Sequence, residues 1–333
     1  MRWQAQFPIA DPSHVAQART ALGSLMHDGG FDETRAGRGN LVLTEAATNI
    51  LKHAGEGSLL IRSLASEGLK GVEVLALDSG PGIRDWAHSS ADGVSSSGTQ
   101  GTGLGAMRRL SDEFDAYSRD RKGTIVRMAM WSGARKEESG SCNVGAVCIP
   151  MKGEEVCGDS WGIASHPEGV TLVVADGLGH GLQAHDASEA AIEVLMKYPA
   201  DSATRLLDTA HAALRSTRGA AMAVARCDFA KREIVYAGAG NISGSIVGEG
   251  PRKQMMSHNG IVGHKIHSSR ATPYPWPEGA LLVMHSDGLE TQWNLDDYPG
   301  LVERHPALIA AVLYRDFTRG RDDVTVAVLR AGR

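Results

Sequence analysis

Two runs free of charged side chains, Val170-Thr-Leu-Val-Val-Ala175 and Ala280-Leu-Leu-Val-Met-His-Ser286, each end in aspartate followed by glycine, at Asp176-Gly177 and Asp287-Gly288. An unbroken apolar run reads as a strand buried on both faces, so its sheet has to be covered above and below. The acid at its exit is then half-buried and needs a partner to stay charged. A divalent cation supplies one. Asp159, after Gly158 in a turn-like segment, and Asp322-Asp323, ahead of the strand Val324–Leu329, place acids at the ends of two more segments. Carboxylates gathered without histidine or cysteine favour Mg²⁺ or Mn²⁺ over zinc. Two such ions about 3.5–4 Å apart activate a bridging water and clamp a phosphate. Each aspartate alone reads as a strand-end cap or turn; the set of four carries the argument.

At roughly 150 residues per domain, 333 residues suggest two domains. With 42% hydrophobic and 22% charged residues the chain has enough apolar surface for real cores, which excludes wholesale disorder. The polar stretch 132–141, rich in small residues and without an apolar period, marks a linker, giving domains at 1–131 and 142–333. In the second half, strands are expected at Val144–Ile149, Val170–Ala175, Ala220–Arg226, Glu233–Ala237, Ala280–Met284 and Val324–Leu329. Helical periodicity covers Ala184–Lys197, Ala203–Leu214 and Pro306–Phe317, so sheets packed together with helices outside are expected.

In the first half, Leu43, Ala46, Ala47, Ile50, Leu51 and Ala54 repeat near 3.6 residues, predicting an amphipathic helix over Gly39–Ala54 that Gly55 ends. Val72–Leu77 reads as a strand delivering the turn Asp78-Ser-Gly-Pro-Gly82. Ala106–Phe114 reads as a helix and Gly123–Trp131 as a strand, an α/β layered domain. The glycine content of 40 residues is high and clustered. Ser89–Gly105, rich in serine and glycine, reads as a mobile loop.

Three features of this half carry chemistry. Glu45 and Asn49, four apart, share a helix face and offer oxygen ligands to Mg²⁺, although such a pair alone reads as a solvated face. Asp78 at a strand end can accept a hydrogen bond from an amino group such as that of adenine, with Gly80 and Gly82 letting backbone approach a ligand. Gly101-Thr102-Gly103-Leu104-Gly105 precedes a predicted helix, whose free amides favour phosphate. It is neither a dinucleotide fingerprint nor a P-loop, because its spacing is G-x-G-x-G, a serine-rich loop precedes it and no lysine follows.

The ordered set Glu45-x-x-x-Asn49, Asp78-x-Gly80-x-Gly82, Gly101-x-Gly103-x-Gly105 and Gly123-Thr124 resembles the GHKL ATPase superfamily. The strings Asn49-Ile-Leu-Lys-His-Ala-Gly55 and Lys122-Gly-Thr124 are similar to the RsbT-like switch kinases of bacterial partner-switching systems. The resemblance covers residues 1–131. It implies a Bergerat-type ATP fold in which Asn49 holds Mg²⁺, Asp78 reads adenine, Thr124 belongs to the same pocket and Gly101–Gly105 lie over the phosphates. Glu45 would orient or deprotonate the acceptor.

Asp176-Gly-Leu-Gly-His-Gly181, Ser286-Asp-Gly-Leu-Glu290 and Arg321-Asp-Asp-Val-Thr325 resemble the SpoIIE and RsbX branch of metal-dependent serine/threonine phosphatases over residues 142–331. That resemblance implies an αββα sandwich and a site of two Mn²⁺ or Mg²⁺ ions. Asp176 would bridge the metals with help from the Gly177 carbonyl, and Asp159, Asp287 and Asp322 would be further ligands. Asp323 stands where many relatives carry asparagine and is not counted among them. Many eukaryotic relatives place histidine directly after the Asp-Gly pair as leaving-group acid. Here Leu178 follows and His180 comes two later, so no general acid is assigned and His180 is either a substrate-side donor or a turn residue. His264, His267 and His285 receive no role.

Together the halves imply a bifunctional regulator, one half phosphorylating and the other dephosphorylating STAS-domain antagonist or stressosome-type proteins, with ATP and Mg²⁺ as cofactors of the kinase half. A sigma factor or a downstream phosphatase is a further candidate partner. The alternatives are an anti-sigma-type binding module with ATP-gated sequestration, and a phosphatase regulated by a nucleotide-sensing half. Composition excludes other classes. A net charge of -5 without a basic stripe argues against nucleic acid. Cys142, Cys148, Cys157 and Cys227 form no C-x-x-C pair, which fits a reducing compartment. No apolar stretch approaches a membrane span and the start lacks a basic-then-apolar signal, so a cytoplasmic protein without membrane contact is expected.

Overall fold

The computed structural model describes residues 3–66, 68–83, 103–135, 142–266 and 269–331. The chain forms two compact units, one of Trp3–Glu138 together with Leu295–Val312, the other of Ser139–Asn294 and Leu313–Arg333.

The first unit is built on β1 (Ala5–Ile9), α1 (Pro12–Asp28), α2 (Glu33–His53), β2 (Gly57–Ser66), β3 (Leu69–Asp78), α3 (Gly103–Leu110), β4 (Glu113–Ser118) and β5 (Thr124–Trp131). Its five strands form one antiparallel sheet in the order β1-β2-β3-β5-β4. Each long helix starts where an aspartate caps it: Asp11 Oδ1 accepts the Ser13 amide at 2.8 Å, and Asp32 Oδ1 accepts the Arg35 amide at 2.7 Å. Val42, Leu43, Ala46, Ala47 and Ile50 of α2 join Leu22 and Met26 of α1 and Leu59, Ile61, Val72 and Val74 of the sheet in one core. Gly39 of α2 faces the end of the Met26 side chain of α1, where a Cβ would lie 2.7 Å from Met26 Sδ.

The sheet also buries charge. Glu73 of β3 bonds Arg62 Nε on β2 through Oε2 and Arg127 Nε on β5 through Oε1, both at 2.7 Å. Burial alone would push the Glu73 carboxyl up, but Arg62 and Arg127 outweigh it and hold the pKa at about 2.

The second unit carries β6 (Asn143–Ile149), β7 (Asp159–His166), β8 (Gly169–Gly177), α4 (Leu182–Lys197), α5 (Ala203–Ala213), β9 (Ala220–Asp228), β10 (Glu233–Ala239), β11 (Ser243–Val247), β12 (Lys253–Met255), β13 (Gly260–Ile261), β14 (Lys265–Ile266), β15 (Thr272–Pro275), β16 (Leu281–His285) and β17 (Val324–Arg330), while α6 (Pro306–Phe317) starts in the first unit and ends in the second. Two five-stranded antiparallel sheets result, β15-β10-β9-β8-β7 and β12-β11-β16-β17-β6. They face each other: a Cβ on Gly244 of β11 would lie 2.7 Å from the Tyr236 ring of β10. Ile192, Leu195, Leu206, Leu207 and Ala210 of α4 and α5 pack on Val173, Ala175, Met222 and Val224 of the first sheet. The expected α/β class is what the chain adopts, and β8, β16 and β17 are the buried apolar strands foreseen.

Two local expectations change. The helix expected over Ala106–Phe114 runs instead over Gly103–Leu110, and Phe114 belongs to β4, paired with Met128. Asp159 is not in a turn but opens β7. The loop expected over Ser89–Gly105 lies outside the described residues up to 102, as do 136–141 of the linker. Among the described residues no helix is long and apolar enough to cross a membrane.

Candidate nucleotide and metal sites

In the first unit, α2 carries Glu45 and Asn49, both half-buried, on its C-terminal half. The first residue of α3 comes directly against Asn49: a Cβ on Gly103 would lie 3.1 Å from both Asn49 Nδ2 and Oδ1. Asp78, the last residue of β3, accepts the Gly80 amide at 2.9 Å and the Thr124 amide at 3.1 Å through Oδ1, which fixes the carboxylate. Gly123 makes the second bond possible. Its φ is +78°, and a Cβ there would lie 2.0 Å from the Asp78 carbonyl oxygen. Gly80 packs on Ala54 at the end of α2, and Gly82, with φ +71°, packs on the Arg119 carbonyl. Thr124 Oγ1 and Ser118 Oγ are 2.8 Å apart, and Ser118 Oγ accepts the Ile83 amide at 2.8 Å.

The sequence-predicted residues of this half thus meet in two groups, Asp78 with Gly80 and Thr124, and Asn49 with Gly103, both reached from the last turns of α2. Gly103, Leu104 and Gly105 are inside α3, not ahead of it, so its free amides begin at Gly103. Gly101 and Thr102 lie outside the described residues. Glu45 shares the face of Asn49 by its spacing.

In the second unit, Asp159 and Asp176 are cross-strand partners on β7 and β8. Asp159 is 1% exposed and accepts Ser286 Oγ at 2.6 Å; the same oxygen of Ser286 accepts the Thr325 amide at 2.9 Å. Burial first, then the Asp176 charge, pushes the Asp159 carboxyl well up. Burial together with Asp287, Asp322 and Asp323 pushes Asp176 up to about 8. Burial likewise raises Asp322 and Asp323. The carboxylates from four segment ends therefore repel one another at one edge of the sheets.

Both Asp-Gly pairs have a steric reason. A Cβ on Gly177 would lie 1.9 Å from the Ala184 carbonyl oxygen, and one on Gly288 2.0 Å from that of Asp323. Backbone from α4 and from the Asp322-Asp323 segment passes there too closely for any side chain.

The donor set fits divalent metal. The charged oxygen donors are carboxylates, the ionised forms of Asp159, Asp176, Asp322 and Asp323 are disfavoured by burial and neighbouring acids, and Asp323 Oδ2 is buried without a hydrogen-bond partner among the described residues. Its Oδ1 accepts the Met151 amide at 2.8 Å, so Asp323, which is 3% exposed, ties two loops together while Asp322 is exposed. Among the described residues no three His, Cys, Asp or Glu side chains close into a ready-made cage.

Sequence reasoning passed over Asn241, whose Nδ2 donates to Asp287 Oδ2 at 2.7 Å, and Ser286. Asn241 follows Gly240, at φ +99°, and a Gly-Asn turn gives no sign of which acid it will meet. His180 is exposed, with Nδ1 2.6 Å from Glu154 Oε1.

Comparison with known proteins bears on both halves. The family described as "Histidine kinase-like ATPase domain" matches residues 9–130, and that described as "Stage II sporulation protein E (SpoIIE)" matches residues 166–332. The serine/threonine-protein kinase RsbT of Bacillus subtilis (strain 168) is 35% identical over 117 residues, 35% of this chain and 88% of RsbT. The phosphoserine phosphatase RsbX of the same organism is 24% identical over 180 residues, 53% of this chain and 88% of RsbX. In structure, the chain resembles one from work on the bacterial stressosome as a modular system adapted to control secondary messenger signaling. The TM-score is 0.53 and the identity 29%, over 57% of this chain and all of that one. A crystal structure of RsbX in complex with magnesium shares the fold at a TM-score of 0.50 and 20% identity, over 59% of this chain and 98% of that one.

Proposed function

This chain belongs to the SpoIIE family and carries an N-terminal histidine kinase-like ATPase domain, and from that membership we propose a two-way regulator of protein phosphorylation. Residues 142–333 remove phosphate from serine or threonine, and residues 1–131 add it from ATP, with 132–141 as the linker. The observation that carries the reading is the convergence of Asp159, Asp176, Asp287 and Asp322 at one sheet edge, where burial and neighbouring acids raise Asp159, Asp176 and Asp322 and the charged oxygen donors are all carboxylates.

In the phosphatase half, Asp159, Asp176, Asp287 and Asp322, with the Gly177 carbonyl, would hold two Mn²⁺ or Mg²⁺ ions. Bound there, divalent metal activates water and neutralises a phosphoryl group. The chain's own contribution is placement. Ser286 fixes Asp159, Asn241 fixes Asp287, and Asp323 pins the loop of Met151 beside them. In the kinase half, Asn49 would hold Mg²⁺, Asp78 with Thr124 would read the adenine, and the start of α3 at Gly103–Gly105, with Gly101 and Thr102, would approach the phosphates. Glu45 would orient the acceptor hydroxyl; phosphoryl transfer leaves the protein mainly positioning and charge neutralisation.

The substrates we infer are STAS-domain antagonist or stressosome-type proteins in the cytoplasm. The matches to RsbT and RsbX on one chain, and the likeness to a stressosome chain, support that choice. A phosphoryl group adds about -1.5 to -2 charges, enough to make or break a docking surface. Intact-mass analysis of a cognate STAS protein is the test, first with MgATP and then with Mn²⁺ after ATP removal. The target is expected to gain one phosphoryl group and then lose it. Asn49→Ala blocks the gain, and Asp176→Asn blocks the loss. A target whose mass never changes sinks the scheme.

A further inference from the structure

A polar cavity of about 630 Å³ opens beside Asp287 and Asp322. Two walls of it lie outside the carboxylate set, Glu290–Gln292 on one side and Thr318, Arg319 and Arg321 on the other. The first wall is braced from behind. Arg252 donates to the Trp293 carbonyl at 3.0 Å and the Thr291 carbonyl at 2.8 Å, and its guanidinium lies 4.0 Å from the Trp293 ring centre. Trp293 Nε1 in turn donates to His285 Nε2 at 3.2 Å.

The second wall is tied to the Asp287 segment by main chain. Leu289 bridges Thr318, the Glu290 amide donates to the Phe317 carbonyl at 2.9 Å, and the Arg319 amide donates to the Gly288 carbonyl at 2.9 Å. Arg319 thus branches from backbone bonded to the residue after Asp287, and Arg321 directly precedes Asp322. Between them Gly320, at φ +65°, turns the chain and donates its amide to Thr318 Oγ1 at 3.3 Å. Both arginines are exposed. Asp287, Glu290 and Asp322 line the same cavity, yet neither guanidinium forms an ion pair with any described residue.

Two cations fixed at the backbone, left unneutralised beside a carboxylate centre, suit an anion arriving from outside. A guanidinium presents a planar fork that matches phosphate oxygens two at a time. We propose that Arg319 and Arg321 recognise the phosphoryl group of the incoming phosphoserine or phosphothreonine, and so select phosphorylated over unphosphorylated partner. The inference rests on the phosphatase reading above and adds the residues that read its substrate.

The test compares the full-length protein with R319A, R321A, R319K and R321K. KM is measured for para-nitrophenyl phosphate and for a phosphoserine peptide with Mn²⁺, and calorimetry gives the affinity for inorganic phosphate and, separately, for Mn²⁺. Because both side chains are exposed, unchanged melting temperatures are expected. Each alanine variant should raise KM for both substrates and weaken phosphate binding about ten- to hundredfold, the scale of a hydrogen bond to a charged group. Mn²⁺ affinity should stay unchanged, and the lysine variants should recover only part of the loss. A rise in KM for the peptide alone would overturn the proposal, because the arginines would then read protein surface. So would unchanged phosphate affinity, or a parallel loss of Mn²⁺ affinity. If the wild-type protein with Mn²⁺ hydrolyses neither substrate, the phosphatase reading fails, and the phosphate affinities still decide the role of the arginines.

Discussion

Asp159 and Asp176 stand directly opposite each other on β7 and β8, two carboxylates at one cross-strand position. Like charges so placed destabilise a sheet, and burial compounds the effect by pushing both carboxyls up. On the phosphatase reading proposed above, a fold that keeps such a pair trades stability for a cation site.

Asp176→Asn is therefore expected to stabilise the metal-free protein by on the order of 1–2 kcal/mol, as removing a strained functional charge commonly does. The same change should abolish phosphatase turnover. Thermal unfolding in chelator, and again with Mn²⁺, checks both halves of the statement: the cation raises the wild-type melting temperature and leaves that of the variant where it was. A variant less stable than wild type in chelator contradicts the argument.

Glu73 gives the opposite electrostatic case. Its pKa is held at about 2, below the ordinary 4.5, by Arg62 and Arg127 against the pull of burial. Below pH 4.5 the unfolded chain takes up a proton that the folded protein refuses, so stability rises with pH in that window. The contribution is complete above 4.5 and disappears as pH falls through about 2. Glu73→Gln should flatten this part of the stability profile. At neutral pH it should cost about 3–5 kcal/mol, because two buried guanidinia lose their carboxylate. Urea unfolding of the isolated variant at several pH values reads both effects.

Gly103 offers a separation of binding from folding. Gly103→Ala places a methyl 3.1 Å from the Asn49 amide group, while alanine suits a helix at least as well as glycine. Nucleotide affinity, followed with a fluorescent ATP analogue, should fall about tenfold, or about 1.4 kcal/mol, with no drop in melting temperature. Gly123→Ala is the contrasting control. Its φ of +78° and the Asp78 carbonyl 2.0 Å from the new Cβ leave no room, so it should unfold the first unit rather than merely weaken binding.

How much of this was legible in the sequence follows from what each segment buries. The runs leading to Asp176 and Asp287 are apolar on both faces because sheets or helices cover them, and they appear as β8 and β16 with ends near those expected. Pro306–Phe317 is a helix over its expected bounds. β7 escaped notice because it carries polar residues inward: Asp159 and Ser160 are both buried, the latter donating to Glu189 at 2.6 Å. A strand recruited to a charged site loses the alternation that would reveal it. α1 escaped for another reason, since Ala18, Leu22 and Met26 are its only fully covered positions and leave a thin apolar stripe. The glycines at 103 and 105 read as loop, yet they begin a helix that must pass close to α2. The acids of the second half were legible because each stands at a strand end. Ser286 and Asn241, which orient two of them, were not, since their partners are set only by tertiary contact.

Asn241 provides the sharpest separation of positioning from charge. Its Nδ2 holds Asp287 Oδ2 at 2.7 Å, so it fixes how that carboxylate faces the centre without adding charge there. Groups that orient a ligand in this way typically change metal affinity by about ten- to hundredfold when lost. Asn241→Ala should show a loss of that size in Mn²⁺ affinity by calorimetry, with little change in the stability of the metal-free protein, because Asp287 is only half-buried and water replaces the lost donor. Asn241→Asp puts a second carboxylate against the first. In chelator it should lower the melting temperature, and added Mn²⁺ should restore more of it than in wild type, since the ion then relieves an extra repulsion. If both substitutions leave Mn²⁺ affinity untouched, Asp287 does not face the metal and the ligand set has to be redrawn around Asp159, Asp176 and Asp322.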